Sequence, residues 1–324
     1  MRVLIAGLGA VGQRHARNLR AVCGSSLDLL AYRRRRLPYV ITESLQRDDA
    51  RDVESSLGIR SFDDLELALA ARPDAVFVCT PSSQHVEIAR AAANAGCHLF
   101  IEKPLSNSLD GIEELQQAVR EKGVVTLIGC QWRYHPKVRS LYEKIRSGEM
   151  GTLRAATIDY SEYLPDWHPY EDYRTSYAAL GALGGGVVLT QIHDYDLAWW
   201  LFGQPSRVEA SGGHLSELEI DVEDTVEATL EVGRARVLVR QTFASPVKRR
   251  HISVSFDNSA LELELLQSDG YERNRMFLDE VRHFVACVEG NEQSRVPIAD
   301  GVAVLRLALA VKESMKTGKA VLLT

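Results

Sequence analysis

Residues 3–12 read Val3-Leu4-Ile5-Ala6-Gly7-Leu8-Gly9-Ala10-Val11-Gly12, a short apolar strand running straight into a Gly-x-Gly-x-x-Gly turn. A strand that ends in a tight glycine turn and opens a helix aims several backbone N–H groups, and the positive end of the helix dipole, at one point. A dinucleotide pyrophosphate fits there. Gly7 makes the turn, Gly9 lets the phosphates approach the backbone, and Gly12 lets the helix pack against the strand. Leu8, Ala10 and Val11 complete the expected cradle. A glycine triplet alone is weak evidence; the strand before it and the helix after it carry the reading.

From this turn the chain alternates strand and helix up to about residue 123. The candidate strands are 3–6, 27–32, 75–79, 98–101 and 124–128, with helices at 13–22, 62–71, 84–95 and 110–122. The strands are short and apolar on both faces, as in a parallel sheet covered by helices on each side. Repeated βα units make a doubly wound α/β sheet. After residue 130 the pattern changes to longer alternating segments at 153–162, 208–214, 225–231, 236–242, 251–255 and 260–265, with Gly212-Gly213, Gly233 and Asp257-Asn258 as turns. These predict a mostly antiparallel sheet, one face covered by helices at 194–201, 276–289 and 300–316. Two domains follow: 1–123 for the dinucleotide and 124–324 for substrate and oligomerisation.

The bulk numbers fit an ordinary globular protein. The 324 residues suffice for two domains, and charged residues make up 25%. A net charge of −6 argues against a nucleic-acid or anionic-membrane partner. No apolar stretch approaches membrane-spanning length. The five cysteines are widely spaced without a Cys-x-x-Cys pair, so reduced thiols and a cytoplasmic location are expected. The nine histidines are scattered, and no ligand cluster has metal spacing.

Cofactor choice is read at the end of the second strand. An NAD site places an acid about 20 residues beyond the glycine turn, whereas an Arg there suits the 2′-phosphate of NADP. The strand Leu27 to Tyr32 is followed by Arg33 and Arg34, whose guanidinium forks suit a phosphate dianion. NADP is therefore expected, with NAD possible. Cys79-Thr80-Pro81-Ser82-Ser83-Gln84-His85 and Glu102-Lys103-Pro104-Leu105 follow later strands, at the carboxyl edge where ligands collect in open α/β sheets.

These motifs, in this order and spacing, resemble the Gfo/Idh/MocA oxidoreductase family. The likeness continues through Gln131-Trp132-Arg133-Tyr134-His135-Pro136 and Gly184 to Asp196, and covers nearly the whole chain. It implies an N-terminal Rossmann domain, and a C-terminal α/β domain whose open sheet serves as an oligomer interface, giving a homodimer or homotetramer. It also implies NAD(P)-dependent exchange of hydride with a secondary hydroxyl or ketone of a sugar, cyclitol or nucleotide sugar. Carried over, Lys103 contacts the substrate hydroxyl and the nicotinamide ribose. Cys79 and Glu102 join the cofactor-binding residues, Thr80, Pro81 and His85 line the nicotinamide side, and His193 is the general acid/base.

One departure stands out. Relatives carry an Asp a few residues before the histidine, where this chain has Thr190 and Gln191. A carboxylate beside an imidazole raises its pKa and fixes its tautomer, which Thr and Gln cannot do by charge. His193, helped by Lys103, is therefore expected to carry the proton alone; the alternative is that Asp194 or Asp196 substitutes, Asp196 rather being a structural residue. On the substrate side Arg133, Gln191 and the aromatic segment with Trp167, His168, Tyr173 and Arg174 are expected to bind hydroxyls or stack on a sugar ring. Two rival readings are a non-catalytic dinucleotide-binding or regulatory protein, and a relative that uses its nicotinamide transiently for hydrolysis or epimerisation.

Overall fold

The structure is a computed structural model and describes residues 1–34, 39–266 and 271–323. The chain divides into two compact units, each assembled from separated stretches. The first comprises 1–129 and 273–302, the second 130–272 and 303–324.

In the first unit, strands β1 (Arg2–Ala6) and β2 (Asp28–Tyr32) flank helix α1 (Ala10–Cys23) in sequence. A two-stranded hairpin of β3 (Val40–Ile41) and β4 (Arg47–Asp48) follows, then α2 (Val53–Leu57), β5 (Ile59–Phe62) and α3 (Leu65–Ala70). The unit continues through β6 (Ala75–Val78), α4 (His85–Asn94), β7 (His98–Glu102), α5 (Ile112–Lys122) and β8 (Thr126–Gly129). Six of the strands form one parallel sheet in the order β5-β2-β1-β6-β7-β8. The order reverses between β1 and β6, the switch point at which the glycine turn lies.

Three expectations are corrected here. Strand β8 pairs with β7, so the first unit runs to residue 129 and not 123. Residues 59–62, whose end was read as helix, form the edge strand β5, paired among the described residues with β2 alone. The helix expected at 276–289 was assigned to the second sheet but belongs to the first unit. There Phe284 meets the stacked pair Phe77 and Phe100 edge-on, at 5.2 and 5.7 Å between ring centroids, and joins their apolar core.

The second unit opens with α6 (Pro136–Ser147), a helix with Pro at its start, where a missing N–H costs nothing. Strand β9 (Leu153–Tyr163) and helices α7 (Val187–Thr190) and α8 (His193–Phe202) come next. They are followed by β10 (Arg207–Gly213), β11 (Thr225–Val232), β12 (Ala235–Thr242), β13 (Ala244–Phe256) and β14 (Ala260–Glu264). Helix α9 (Asn274–Val288) then lies in the first unit, α10 (Ile298–Thr317) starts there and ends in the second, and β15 (Val321–Leu322) closes the chain. The sheet order is β14-β13-β9-β12-β11-β10-β15, antiparallel except for the central β9–β12 pair. Along β12, buried Val237, Val239 and Gln241 alternate with Arg236, Leu238 and Arg240 on the more open face. Gly212 and Gly213, expected as a turn, lie within β10 opposite Val226 and Thr225. A side chain at Gly212 would strike the Thr225 carbonyl, which explains the glycine there.

Candidate active site

The first unit builds its cradle from backbone. Gly7 takes φ +96° while its N–H donates to the Tyr32 carbonyl at 2.9 Å, and a Cβ there would lie 2.8 Å from the Cys79 carbonyl oxygen. A Cβ on Gly12 would sit 2.0 Å from the Gly7 oxygen. Gly9 differs: among the described residues, its chain neighbours apart, no atom lies within 4 Å of where its side chain would be. It ends the turn in front of α1, whose N-cap has no side-chain acceptor and whose first turn carries no acid. Open space before the free end of a 14-residue helix suits a pyrophosphate. Leu8 turns its side chain into the core, so it contributes through its backbone. Gln13, fully buried, braces the turn: its amide donates to the Leu8 carbonyl at 3.2 Å and accepts from Ile41 N–H at 2.8 Å.

The two arginines after β2 separate. Arg33 is 5% exposed, with Nη1 at 3.2 Å from Glu54 Oε1, while Arg34 is exposed. A burial-driven upward shift keeps the Cys79 thiol neutral, reinforced by the Glu102 charge.

Lys103 is half-buried at the end of β7, and its N–H donates to the Glu102 carboxylate at 3.2 Å. The other Glu102 oxygen lies 2.7 Å from His15 Nε2. Burial pushes the Glu102 carboxyl up, but the His15 hydrogen bond and the charges of His15, Lys103 and His85 outweigh it and hold it low. His85, expected to line the nicotinamide, is instead enclosed, with its ring nitrogens each 2.8 Å from the carbonyl oxygens of Thr80 and Pro104. It ties together the two backbone segments that carry Thr80 and Lys103. Burial lowers its pKa against the pull of those carbonyls.

In the second unit His193 begins α8 and is 4% exposed, its Nε2 3.3 Å from the Gln131 amide nitrogen. Asp194 lies 2.6 Å from Arg250 and accepts from Gln241 at 2.8 Å. Arg250 also donates to Gln191 Oε1 at 2.7 Å and is sandwiched between the rings of Trp132 and Tyr160, at 4.8 and 4.7 Å. Arg133 grips Asp196 through two nitrogens, at 2.6 to 3.1 Å. Arg133 and Gln191 were expected to touch substrate; the fold buries both and spends their polar groups on Asp196 and Arg250.

The aromatic segment of the second unit stays more open. Trp167 and His168 stack at 4.6 Å, His168 and Tyr170 at 5.1 Å, and His168 Nδ1 lies 2.9 Å from Glu171. The Tyr173 hydroxyl accepts from Glu219 N–H, and exposed Arg174 is held by Asp172 and Glu219. The sequence reading assigned no role to Gln13, His15, Gln131 or Arg250. The signal available for Gln13 and His15 was two polar residues within the apolar stripe of α1.

No described helix is long and apolar enough to cross a membrane, and no group of three or more metal-ligating side chains occurs among the described residues. None of the five cysteines forms a disulfide among the described residues.

Comparisons with known proteins agree with this architecture. Residues 1–130 match the model of the GFO_IDH_MocA oxidoreductase family with its NAD-binding Rossmann fold, and residues 138–262 match the GFO/IDH/MocA C-terminal domain. Myo-inositol 2-dehydrogenase of Thermotoga maritima is 26% identical, the alignment covering 99% of this chain and 98% of that protein. The scyllo-inositol 2-dehydrogenase (NAD(+)) of Bacillus subtilis is also 26% identical, over 98% and 95% of the two chains. Among solved structures, WlbA dehydrogenase from Bordetella pertussis, in complex with NADH and UDP-GlcNAcA, superposes with a TM-score of 0.85 over 100% of this chain and 99% of that one. Its 22% identity shows the shared fold. A parallel sheet with the glycine cradle at its switch point, a mixed seven-stranded sheet, and two matched domain models place the chain in the Gfo/Idh/MocA family of NAD(P)-dependent oxidoreductases.

Proposed function

We propose that the protein transfers a hydride between a nicotinamide and a secondary hydroxyl or ketone of a sugar, cyclitol or nucleotide sugar. The observation that carries this is His193, a buried imidazole at the start of α8, held by Gln131 and flanked by two buried ion pairs. The inositol dehydrogenases that align along the whole chain support the substrate class. When bound, the nicotinamide supplies or accepts the hydride. His193 takes or gives the hydroxyl proton, and the Lys103 ammonium steadies the developing alkoxide. The stacked Trp167, His168 and Tyr170 offer faces for a sugar ring.

NADP is the preferred cofactor in this reading, because β2 ends without an acid and Arg34 is left exposed to meet a 2′-phosphate. Arg33, paired with Glu54, shapes the segment instead. The open face of the second sheet supports a homodimer or homotetramer, and five cysteines outside any disulfide support a cytoplasmic location.

Turnover tests the reading. The protein is incubated with NADP+ or NAD+ and a panel of inositols, sugars and nucleotide sugars, and the absorbance of reduced nicotinamide is followed. Reduction with at least one polyol is expected. His193→Gln lowers kcat by about 10²–10⁴-fold, and Lys103→Ala by about 10²-fold or more, with cofactor binding nearly intact. Full turnover in His193→Gln would remove its acid/base role.

A further inference from the structure

His15 lies on α1, the helix that opens behind the glycine cradle, and is fully buried. Three phenylalanine rings surround it, Phe77 from β6, Phe100 from β7 and Phe277 from α9, at 5.4, 4.8 and 6.2 Å between ring centroids. Against such a wall an apolar side chain packs at no polar cost, whereas an imidazole must find a partner for its N–H. Its Nε2 lies 2.7 Å from Glu102 Oε1, and its Nδ1 has no hydrogen-bond partner among the described residues. An ionised carboxylate only accepts, so Nε2 carries the proton. The ring's polar chemistry is spent on that one carboxylate.

The sheet places Glu102 for this bond. It ends β7 on the same face as Phe100, two residues earlier, and pairs with Gly129 of β8. A Cβ on Gly129 would lie 3.2 Å from Glu102 Oε2, so the glycine leaves the space that the carboxylate fills. The same Oε2 turns back to accept the Lys103 N–H at 3.2 Å. One carboxylate therefore joins α1 to the residue that follows β7. Burial opposes its charge, and the His15 hydrogen bond leads the interactions that outweigh burial.

We propose that His15 is a positioning residue for Lys103: its Nε2–H fixes the Glu102 carboxylate, and Glu102 fixes the Lys103 backbone where the chain leaves β7. This rests on the reading of Lys103 as the group that steadies the alkoxide. A lysine carries its charge on a flexible four-carbon stem, so its placement depends on the backbone from which the stem starts. Without His15 the carboxylate stays buried but loses a charge-assisted hydrogen bond. It then rotates toward another donor or takes up a proton, and either change loosens its hold on the Lys103 N–H. Because α1 opens at the pyrophosphate cradle, the same ring ties the cofactor helix to the lysine.

The test compares His15→Phe, His15→Gln and Lys103→Ala in the full-length protein, measuring kcat on the polyol that the turnover panel identifies and the Kd for NADPH. His15→Phe continues the wall of rings while deleting the bond; His15→Gln keeps an N–H donor of similar reach. His15→Phe is expected to lower kcat by about 10- to 10²-fold with the Kd for NADPH within about twofold of the wild type. His15→Gln is expected to restore most of that loss. Wild-type kcat in His15→Phe would overturn the proposal. So would a loss that His15→Gln does not recover, or one shared equally by kcat and cofactor affinity, since packing alone would then account for the ring. Should His15→Phe misfold, nitrogen NMR of the wild type labelled with 15N-histidine decides, the His15 signal being assigned by its absence from His15→Gln. A proton on Nε2 is expected, and a ring protonated on Nδ1 alone would overturn the proposal. Lys103→Ala is scored separately: retained turnover removes the reading of the lysine, whereas lost turnover there with wild-type kcat in His15→Phe overturns His15 alone.

Discussion

Gly9 and Gly12 stand three residues apart in one turn, yet a methyl group added to each meets a different fate. At Gly12 it strikes the Gly7 carbonyl at 2.0 Å, so the fold itself needs the hydrogen; at Gly9 it meets no described residue within 4 Å beyond its chain neighbours. Gly9→Ala is therefore expected to cost about 1 kcal/mol or less in stability, the price of alanine at an N-cap. Its cofactor affinity should nevertheless fall tenfold or more. Gly12→Ala should lose stability and binding together. Urea unfolding alongside cofactor titration of both variants separates the two roles, and unchanged affinity in Gly9→Ala would contradict the cradle. The cradle was legible because its chemistry is backbone at fixed spacing. Side-chain roles were less so. Arg133, Gln191, His85 and Arg33 carry suitable chemistry, but their sequence does not reveal that the fold spends them on Asp196, Arg250, two carbonyls and Glu54.

Elements that repeat a period over many residues were read within a few positions, as α1, α5 and β11 show. Strand β5 was missed because an edge strand has one partner and no continuous apolar run: Ile59 is buried beside exposed Arg60. Strand β13 begins seven residues earlier than read, since Pro246, Lys248 and Arg249 obscure its start and its pairing with β9 shifts register between Ala244 and Arg249. Helix α9 shows what period cannot supply. Its apolar stripe predicts burial, but not against which sheet. Phe284, fully buried against Phe77 and Phe100, anchors it in the first unit. Phe284→Ala is expected to destabilise that unit by about 3–5 kcal/mol. Urea denaturation measures it, and a loss below about 1 kcal/mol would place the helix's anchor elsewhere.

For the molecule as a whole, buried histidines set the response to acid. Burial lowers the pKa of His85, His98 and His283, and takes His135 to about 4. The unfolded chain, with histidines near 6.5, then binds more protons than the folded one as pH falls. Their contribution to stability is whole above about pH 6.5 and is lost as pH drops toward the folded values. The urea midpoint is thus expected to be lower at about pH 5 than at about pH 7, and His135→Phe should flatten the slope. A midpoint that holds or rises on acidification would contradict this.

The division into units was only partly visible in the chain, because residues 273–302 return to the first unit after the second has been built. The central claim remains that residues 7–12 cradle a nicotinamide dinucleotide. It is tested most directly by fluorescence titration of the purified protein with NADPH and, separately, NADH. Saturable binding of both is predicted, tighter for NADPH. Binding of neither, with no cofactor carried through purification, would contradict the account.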